Sequence, residues 1–435
     1  MTEARWALRF VGLNLCCALN ASAVSGQELQ PLTLKRAVTL AVQHSSDLAL
    51  ARARYALAEQ QVALVRAPFA PNLFAGSGAG YTLGFPMTYG GAPPALIDVG
   101  YVQTVFNRPL QSQAQAAERR ADVERLTLED SRNTVILQTA QVFLELVQVR
   151  QALEARRGTR NASPRIQEIT DSRVAEGREL PLESLRAKLD GARTDQAIVQ
   201  LEGREDSLTT ELQRLTGIPT STKPFEVVPN RLALQPEQSA ADLVALALAS
   251  NRALQRADYE QRARRERLNQ ERAAYWPAID VVGEYAMLAK FNNYDEFFRR
   301  FARNNLNVGV RARWPIFSSQ TTAAVRVAQS ELRLVDVELR RKREEIEVAV
   351  RRASQRMREL NATRDIAALE LELVQEKVRM LRERFQADRA NLRDLERARL
   401  EQTDKRVAFL QADYESQQGL LELLNTTGQL GGLFP

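Results

Sequence analysis

The side chains that most often carry enzyme chemistry are scarce in this 435-residue sequence. His44 is the only histidine, and the two cysteines, Cys16 and Cys17, are adjacent near the start of the chain. The sequence therefore has almost none of the residues that a Ser-His or Cys-His nucleophile pair requires. The glycine-rich stretch 76–80 lacks the lysine that a phosphate-binding loop requires. We predict that the protein is not an enzyme and has neither a cofactor nor a metal site.

Charged side chains instead recur in two short segments, 279–288 and 306–314, in which apolar and polar residues alternate. Such alternation is typical of a β-strand whose two faces meet different surroundings. The charged residues of the polar faces are Asp280, Glu284, Arg311 and Arg313. Strands of about nine residues that are apolar outside and charged inside suit a membrane barrel with a water-filled lumen. We predict that these four residues face that lumen; the alternative is a half-buried soluble hairpin.

Aromatic residues flank this hairpin at one end. They are Tyr275, Trp276, Trp314 and Phe317. Tyrosine and tryptophan collect at membrane–water interfaces, so this end is predicted to lie at the inner interface of the membrane. A second pair of segments, 73–81 and 97–105, gives a weaker strand pattern, because the first is rich in glycine and the second alternates only in part.

The start of the chain has the pattern of an export signal. Arg5 and Arg9 precede an apolar run, and the A-x-A sequence at residues 21–23 predicts cleavage after Ala23. Leu15 stands before Cys16, where a lipid-anchored precursor needs a small residue, so lipidation is not favoured. After Leu19 no apolar run approaches the length of a membrane helix, and a membrane role has to come from strands.

The charge balance argues against a nucleic-acid partner. The 60 basic and 54 acidic residues leave a net charge of +6 spread over many charges of both signs. Such mixtures usually cover solvated helix faces, and export from the cytoplasm also separates the chain from nucleic acid.

The sequence repeats itself, which is its most informative feature. Ala41 through Leu73 aligns with Ala247 through Ile279, and each copy has aromatic residues followed by proline at the end of a helical pattern. Later positions, up to Thr216-Gly217 and Thr427-Gly428, align in the same order. The predicted organisation is a signal peptide (1–23), a first repeat (24–217), an equatorial linker (218–241), a second repeat (242–430) and a short tail (431–435).

Each repeat is predicted to read helix, β-hairpin, long helix, turn, helix. In the second repeat the helices are 242–274, 318–387 and 392–425, and in the first repeat they are 36–67, 108–172 and 182–216, with Gly158 and Pro164 bending the long one. A helix of 70 residues is roughly 105 Å long, several times the length of an ordinary globular helix. In each repeat the summed length of the two shorter helices is close to the length of the long helix, so the two can lie end to end along it.

Four strands cannot close a barrel, and unpaired strand edges are not tolerated in lipid. Closure around a lumen takes roughly eight or more strands, so several copies of the chain must share one barrel. The sequence therefore predicts an oligomer.

The sequence resembles the TolC family of outer-membrane efflux proteins over nearly all of residues 31–430. The motifs that carry the resemblance are the opening 32–41, the stretch from Ala67 to Leu73 and Trp314-Pro315-Ile316-Phe317, together with the duplicated architecture. The resemblance implies a mainly α fold: a homotrimer in the bacterial outer membrane whose twelve-stranded β-barrel continues as a long periplasmic α-helical barrel. It also implies contact with a periplasmic adaptor protein and an inner-membrane pump, and passive export through the lumen.

In that family the helix-to-helix turns meet the adaptor and close the inner end of the tube. By resemblance the corresponding residues are Arg173, Gly177, Arg384 and Asp388. Gly177 suits a turn that needs positive φ, whereas Asp388 suits it less well. Asp394 falls where relatives carry an aspartate that constricts the entrance, and Arg397 stands where a second carboxylate is expected. These two residues are the candidate gate, with Arg397 counteracting or pairing Asp394; the alternative is that both lie on a solvated helix face.

A soluble periplasmic scaffold or adaptor is the competing interpretation. It shares the export signal and the long helices, but it predicts one helical hairpin and a compact β domain rather than two matching strand pairs.

Overall fold

The computed structural model describes residues 31–78, 95–160, 162–219, 227–228, 239–288, 302–387 and 389–434. The predicted signal peptide, most of the predicted linker, the end of the predicted strand 73–81 and Asp388 lie outside these residues. The helices are α1 (Leu34–His44), α2 (Ser46–Arg66), α3 (Arg108–Thr159), α4 (Ala162–Ala175), α5 (Pro181–Thr216), α6 (Ala240–Ser250), α7 (Arg252–Ala273), α8 (Ser319–Gln386), α9 (Leu392–Thr426) and α10 (Leu430–Leu433). The strands are β1 (Asn72–Gly78), β2 (Ala95–Asn107), β3 (Ala278–Leu288) and β4 (Asn304–Arg313).

The two hairpins form one antiparallel sheet with the strand order β1-β2-β3-β4. The last strand ends at Arg313, so Trp314 lies just outside it, before Pro315, whose ring nitrogen cannot donate to a ladder. The pairing of β2 with β3 joins the repeats, and β1 and β4 are left at the two edges of the described sheet.

The helices continue the order of the strands. Next to the sheet, α2 packs on α3, α3 on α7 and α7 on α8, so the helix row repeats the strand order. Farther from the sheet, α5 packs on α3 and α4, α3 and α4 pack on α9, and α9 packs on α8. As expected, α7 and α9 therefore lie along successive parts of α8, which has 68 residues and is roughly 100 Å long.

The first helix of each repeat is two helices rather than one, which corrects the predicted single helices 36–67 and 242–274. Ser45 and Asn251 adopt extended backbone conformations at the breaks. The Ser45 hydroxyl accepts a hydrogen bond from the Leu48 backbone amide (3.3 Å), and the side-chain oxygen Oδ1 of Asn251 accepts one from the Leu254 backbone amide (3.2 Å). These side chains cap a new helix and compete with the continuing one, which periodicity alone does not reveal.

The predicted bend in the helix 108–172 is a full break between α3 and α4. Gly158 lies in the last turn of α3, and Pro164 lies in the first turn of α4, where its missing amide proton costs nothing.

The largest apolar core lies at the level where the two repeats meet, between α1, α3, α5, α9 and the end of the chain. Leu430 is fully buried there, and Arg132 donates to the carbonyl of Phe434 (3.2 Å). Residues 431–433 of the predicted tail 431–435 belong to the short helix α10, and Phe434 reaches this core whereas Leu433 is exposed. No helix in the described ranges combines the length and apolar character needed to cross a membrane.

Two glycines with positive φ give a matched test of this packing. Gly428 (φ +78) follows α9, and an added Cβ would lie 2.5 Å from the Ser250 carbonyl oxygen, whereas Gly177 (φ +69) has nothing within 4 Å. We expect Gly428→Ala to cost about 2–5 kcal/mol, from backbone strain plus overlap with the α6–α7 break. Gly177→Ala should cost only about 1–2 kcal/mol, because only the strain remains. Thermal loss of helical circular dichroism measures both; equal effects would contradict the packing at Gly428.

Candidate functional site

The charged side chains of the four strands share one face of the sheet. Directly opposite residues of paired strands point to the same side, and Thr104, Asp280 and Arg311 stand opposite one another across β2, β3 and β4. The Thr104 hydroxyl donates to the Asp280 carboxylate (2.9 Å). The register places four further residues on the same face, namely Asp98, Glu284, Asn307 and Arg313.

This polar face is concave, because a cavity of about 320 Å³ lies on it. Residues of all four strands line the cavity, Phe74, Asp98, Glu284 and Arg311 among them. The four predicted lumen residues lie together on this face, and Glu284 and Arg311 line the cavity itself.

The opposite face is convex and apolar. Its residues include Leu73, Tyr101, Ile279, Val281, Tyr285, Leu306, Val308 and Val310. On the edge strand β4, Leu306, Val308 and Val310 are 70–74% exposed. An exposed apolar band of this kind is expensive in water and suits contact with lipid.

The four predicted interface aromatics lie where the strands end and the helices begin. The Tyr275 and Thr322 hydroxyls are hydrogen-bonded (2.9 Å), and the Trp314 indole donates to the Tyr275 carbonyl (3.1 Å). The Arg108 guanidinium lies 4.1 Å from the centre of the Trp276 ring. Phe317 is instead 90% exposed. Three of these aromatics therefore tie the strand ends together through their polar or π groups, while Phe317 remains free for an apolar neighbour.

A trough between the helices next to the sheet carries charges of both signs. This trough of about 400 Å³ is lined from α2, α3, α7 and α8, and Arg54, Arg120, Glu260 and Glu338 are among its residues. Neither sign dominates in this trough.

The two helix-to-helix turns lie at the end farthest from the sheet. Gly177 has the left-handed backbone conformation that was expected of it, and Arg384 lies in the last turn of α8. Arg173 lies 3.4 Å from a carboxylate oxygen of Glu179. Nearby, the Ser184 hydroxyl donates to Asp171, which links α5 to α4 and lowers the pKa of the Asp171 carboxyl.

Ion pairs join the turn regions of the two repeats. Arg393 on α9 contacts the carboxylate of Glu179, and both side chains are mostly buried. Arg397, four residues on, lies 3.5 Å from Glu183. Arg397 is predicted either to counteract or to pair Asp394; its ion pair among the described residues is with Glu183 of the other repeat. Asp394 is exposed and has no ion pair among the described residues.

Two unpartnered apolar stripes run along helices at opposite edges of the row, and the sequence reasoning missed them. The α8 seam consists of Ile366, Leu369, Leu373 and Met380, and the α5 seam consists of Leu182, Leu185, Leu189 and Val199. Both follow the heptad spacing of a coiled coil, yet all eight side chains are exposed. Nearer the sheet, α2 exposes Leu50, Leu57 and Leu64 at intervals of seven residues. Heptad counting within each helix was the signal that could have found them.

A partly buried tyrosine ties the two repeats together between the core and the turns. Tyr414 on α9 donates to Glu145 on α3 (3.5 Å), and Arg204 on α5 donates to the same carboxylate (2.7 Å). Burial first, and then the negative charge of Glu145, raise the pKa of Tyr414 to about 12.

This raised pKa predicts an alkaline loss of stability. The neutral phenol is favoured in the folded chain, so its contribution is complete below the ordinary tyrosine pKa of about 10. It is then lost as the pH rises through about 12. We expect the parent protein to lose more stability over this range than Tyr414→Phe, measured by thermal unfolding. Difference absorbance of tyrosinate should show one group titrating near that pH, and equal pH profiles would contradict the assignment.

Solved structures of outer-membrane channels share this fold. The Campylobacter jejuni CmeC channel superposes with a TM-score of 0.73 at 16% identity, covering 91% of this chain and 85% of that one. The Vibrio cholerae outer membrane protein VceC gives 0.72 at 14% identity, covering 91% and 96%. The open state of the Neisseria gonorrhoeae MtrE channel gives 0.73 at 15% identity, covering 91% and 89%. A search of curated protein sequences gives no significant match.

The sequence itself matches the family described as outer membrane efflux protein over residues 37–218 and 243–429. The two matched ranges fall on the two repeats and together cover most of the chain. This match confirms the resemblance inferred from the motifs and the duplication, and it supports the outer membrane as the location and a role other than enzyme. The chain belongs to the outer membrane efflux protein family.

Proposed function

We propose that the protein is the outer-membrane channel of a tripartite efflux or secretion system, through which substrates expelled by an inner-membrane pump pass without being chemically changed. One observation carries the proposal: a sheet with one polar and one apolar face continues strand by strand into a row of long helices. A soluble scaffold or adaptor has no use for an exposed apolar face on such a sheet.

The two open edges of the chain support a closed ring of copies. One edge consists of β4 and α8, and the other consists of β1, α2 and α5. Within the chain, α5 packs on α1, α3 and α4, and α8 packs on α6, α7 and α9, so the α5 and α8 seams face away from each other. Pairing one edge with the other edge of the next copy makes a head-to-tail interface, which closes into a ring.

The seams are suited to each other in length and direction. Chain direction is opposite in α5 and α8, and both seams begin within a few residues of the turns. The α5 seam spans 18 residues (182–199) and the α8 seam spans 15 (366–380), or about 26 Å and about 21 Å. Three copies, as the family resemblance implies, would give twelve strands and a helical barrel that extends well into the periplasm.

The turns at the far end are the proposed contact with the adaptor. Arg173, Gly177 and Arg384 lie there, and Asp388 follows in the chain. This end is the part of the chain farthest from the membrane sheet, so an adaptor bound to an inner-membrane pump would reach it first.

Asp394 is the proposed gate residue. Because Arg397 pairs with Glu183, the exposed carboxylate of Asp394 is left without a compensating charge from Arg397. Three copies around an axis would place three carboxylates near the entrance and favour cations. We expect Asp394→Ala to reduce cation preference, measured by reversal potentials of the purified oligomer in planar bilayers. Unchanged conductance and cation preference would reject the gate assignment.

Fractionation and conductance test the function as a whole. The protein should sediment with outer membranes, require detergent for extraction and form ion-conducting pores in planar bilayers. Release by osmotic shock in soluble form would overturn the proposal in favour of a periplasmic scaffold.

A further inference from the structure

Phe74 is an aromatic residue on the polar, concave face of β1. It stands opposite Gly100 on β2. Continuing across the sheet, Gly100 stands opposite Glu284 on β3, and Glu284 stands opposite Asn307 on β4. A Cβ added at Gly100 would lie 2.1 Å from the Phe74 ring. The ring therefore occupies the space that a side chain at position 100 would fill, and it extends from the edge strand towards Glu284.

Two carboxylates lie beside this ring. Adjacent strands are about 4.8 Å apart, which places Glu284 one strand beyond Gly100, and Asp98 lies two residues from Gly100 on the same face. Asp98 Oδ1 is buried and has no hydrogen-bond partner among the residues that the structure describes. Neither Asp98 nor Glu284 forms an ion pair within the part of the chain that the structure describes.

Arg311 also lines this cavity. It stands opposite Asp280 across the β3–β4 ladder, but it forms no ion pair with Asp280, Asp98 or Glu284 among the described residues. The cavity of about 320 Å³ therefore combines an aromatic ring with two carboxylates and one guanidinium, which leaves an excess of negative charge.

We propose that Phe74, Asp98 and Glu284 form a seat for organic cations, meaning cations with an apolar body, in the lumen of the barrel. The inference rests on the proposed channel function, which makes the concave face a lumen. A ring face and a nearby carboxylate both attract a poorly hydrated cation, whereas a small hydrated metal ion gains little from the ring and an anion is repelled. The seat is open to water, so it binds weakly and releases its occupant, as conduction requires.

Block of potassium current by tetraphenylphosphonium in planar bilayers tests the seat. The parent oligomer should be blocked by this cation and not by tetraphenylborate, an anion of similar shape. Phe74→Leu and Glu284→Gln should each raise the half-blocking concentration about fivefold, equivalent to about 1 kcal/mol. Phe74→Tyr keeps the ring, so tetraphenylphosphonium should block this variant at the same half-blocking concentration as the parent. Leu73→Ala, which shortens the neighbouring side chain on the convex face, should also leave the block unchanged.

The outcomes separate the seat from the channel. Elution of each variant in detergent at the volume of the parent oligomer, together with pore formation in bilayers, shows that the variant has folded and inserted. If pores form but Phe74→Leu and Glu284→Gln are blocked like the parent, or if tetraphenylborate blocks equally well, the seat is overturned and the channel stands. If no pores form at all, the channel function and the seat fall together.

Discussion

Leu373→Asp is expected to leave the chain unable to assemble. Leu373 lies in the middle of the α8 seam and is 71% exposed in the single chain, and in a ring of copies it would be covered by the α5 seam of the neighbour. Losing that burial costs about 1.5–3 kcal/mol at every interface of the ring. The aspartate adds the cost of removing a carboxylate from water without a partner. Because every interface carries the same defect, the penalty is multiplied around the ring.

Size-exclusion chromatography in detergent, with bilayer conductance as the second readout, measures this effect. Leu185→Asp on the α5 seam should behave in the same way, since it damages the other half of the same contact. The matched control is Gln375→Asp, which introduces the same charge two residues from Leu373 at an exposed position outside the seam. If Leu373→Asp assembles as well as Gln375→Asp, the seam is a solvated face and the head-to-tail ring is wrong.

The architecture could be predicted from the sequence because it rests on periodicity and duplication. Alternation by two residues identified the polar face of the second hairpin, and the register places Asp280, Glu284 and Arg311 on it together. The first hairpin gave a weak signal because its polar face carries Gly76 and Gly100, which have no side chain to show a pattern. Only its register with Gly100 places Phe74 on the polar face.

What could not be predicted depends on which helices become neighbours. The break at Asn251 depends on a side chain that caps a new helix, whereas the surrounding residues are good helix formers. Arg397 has Asp394 three residues away in sequence, but Glu183 of the other repeat lies within reach only after the two turns have come together. The pairing of Glu179 with Arg393 has the same origin.

Glu179→Gln is the second substitution expected to have a large effect. Glu179 receives Arg393 from α9 and Arg173 from α4, and 14% of its side chain is exposed. Removing the carboxylate leaves two guanidinium groups facing each other in a poorly hydrated site. Breaking such a pair in a protein interior costs about 3–5 kcal/mol, and the remaining exposure reduces this to about 2–3 kcal/mol. Hydrogen exchange should quicken in α4 and at the start of α9.

The same substitution should raise the conductance of the assembled channel. Arg393 and Glu179 hold the turn regions of the two repeats together, so without this contact the helices near the far end can separate more easily. The matched control is Glu176→Gln in the same turn, where Glu176 pairs with Arg178 (3.1 Å) but both side chains are at least half exposed. An exposed pair of this kind contributes roughly 0–1 kcal/mol, so the control should change neither hydrogen exchange nor conductance.

A double-mutant cycle decides whether the contact itself is responsible. If Arg393 and Glu179 act on each other, the effect of Arg393→Met on thermal stability should be much smaller once Glu179 has been changed to glutamine, giving a coupling of about 1–3 kcal/mol. The cycle for Arg178 and Glu176 should give a coupling near zero, because water screens both charges. Equal couplings in the two cycles would show that the far end is held by helix packing alone. A large coupling confined to Arg393 and Glu179 would instead show that this buried pair holds the turn regions of the two repeats together.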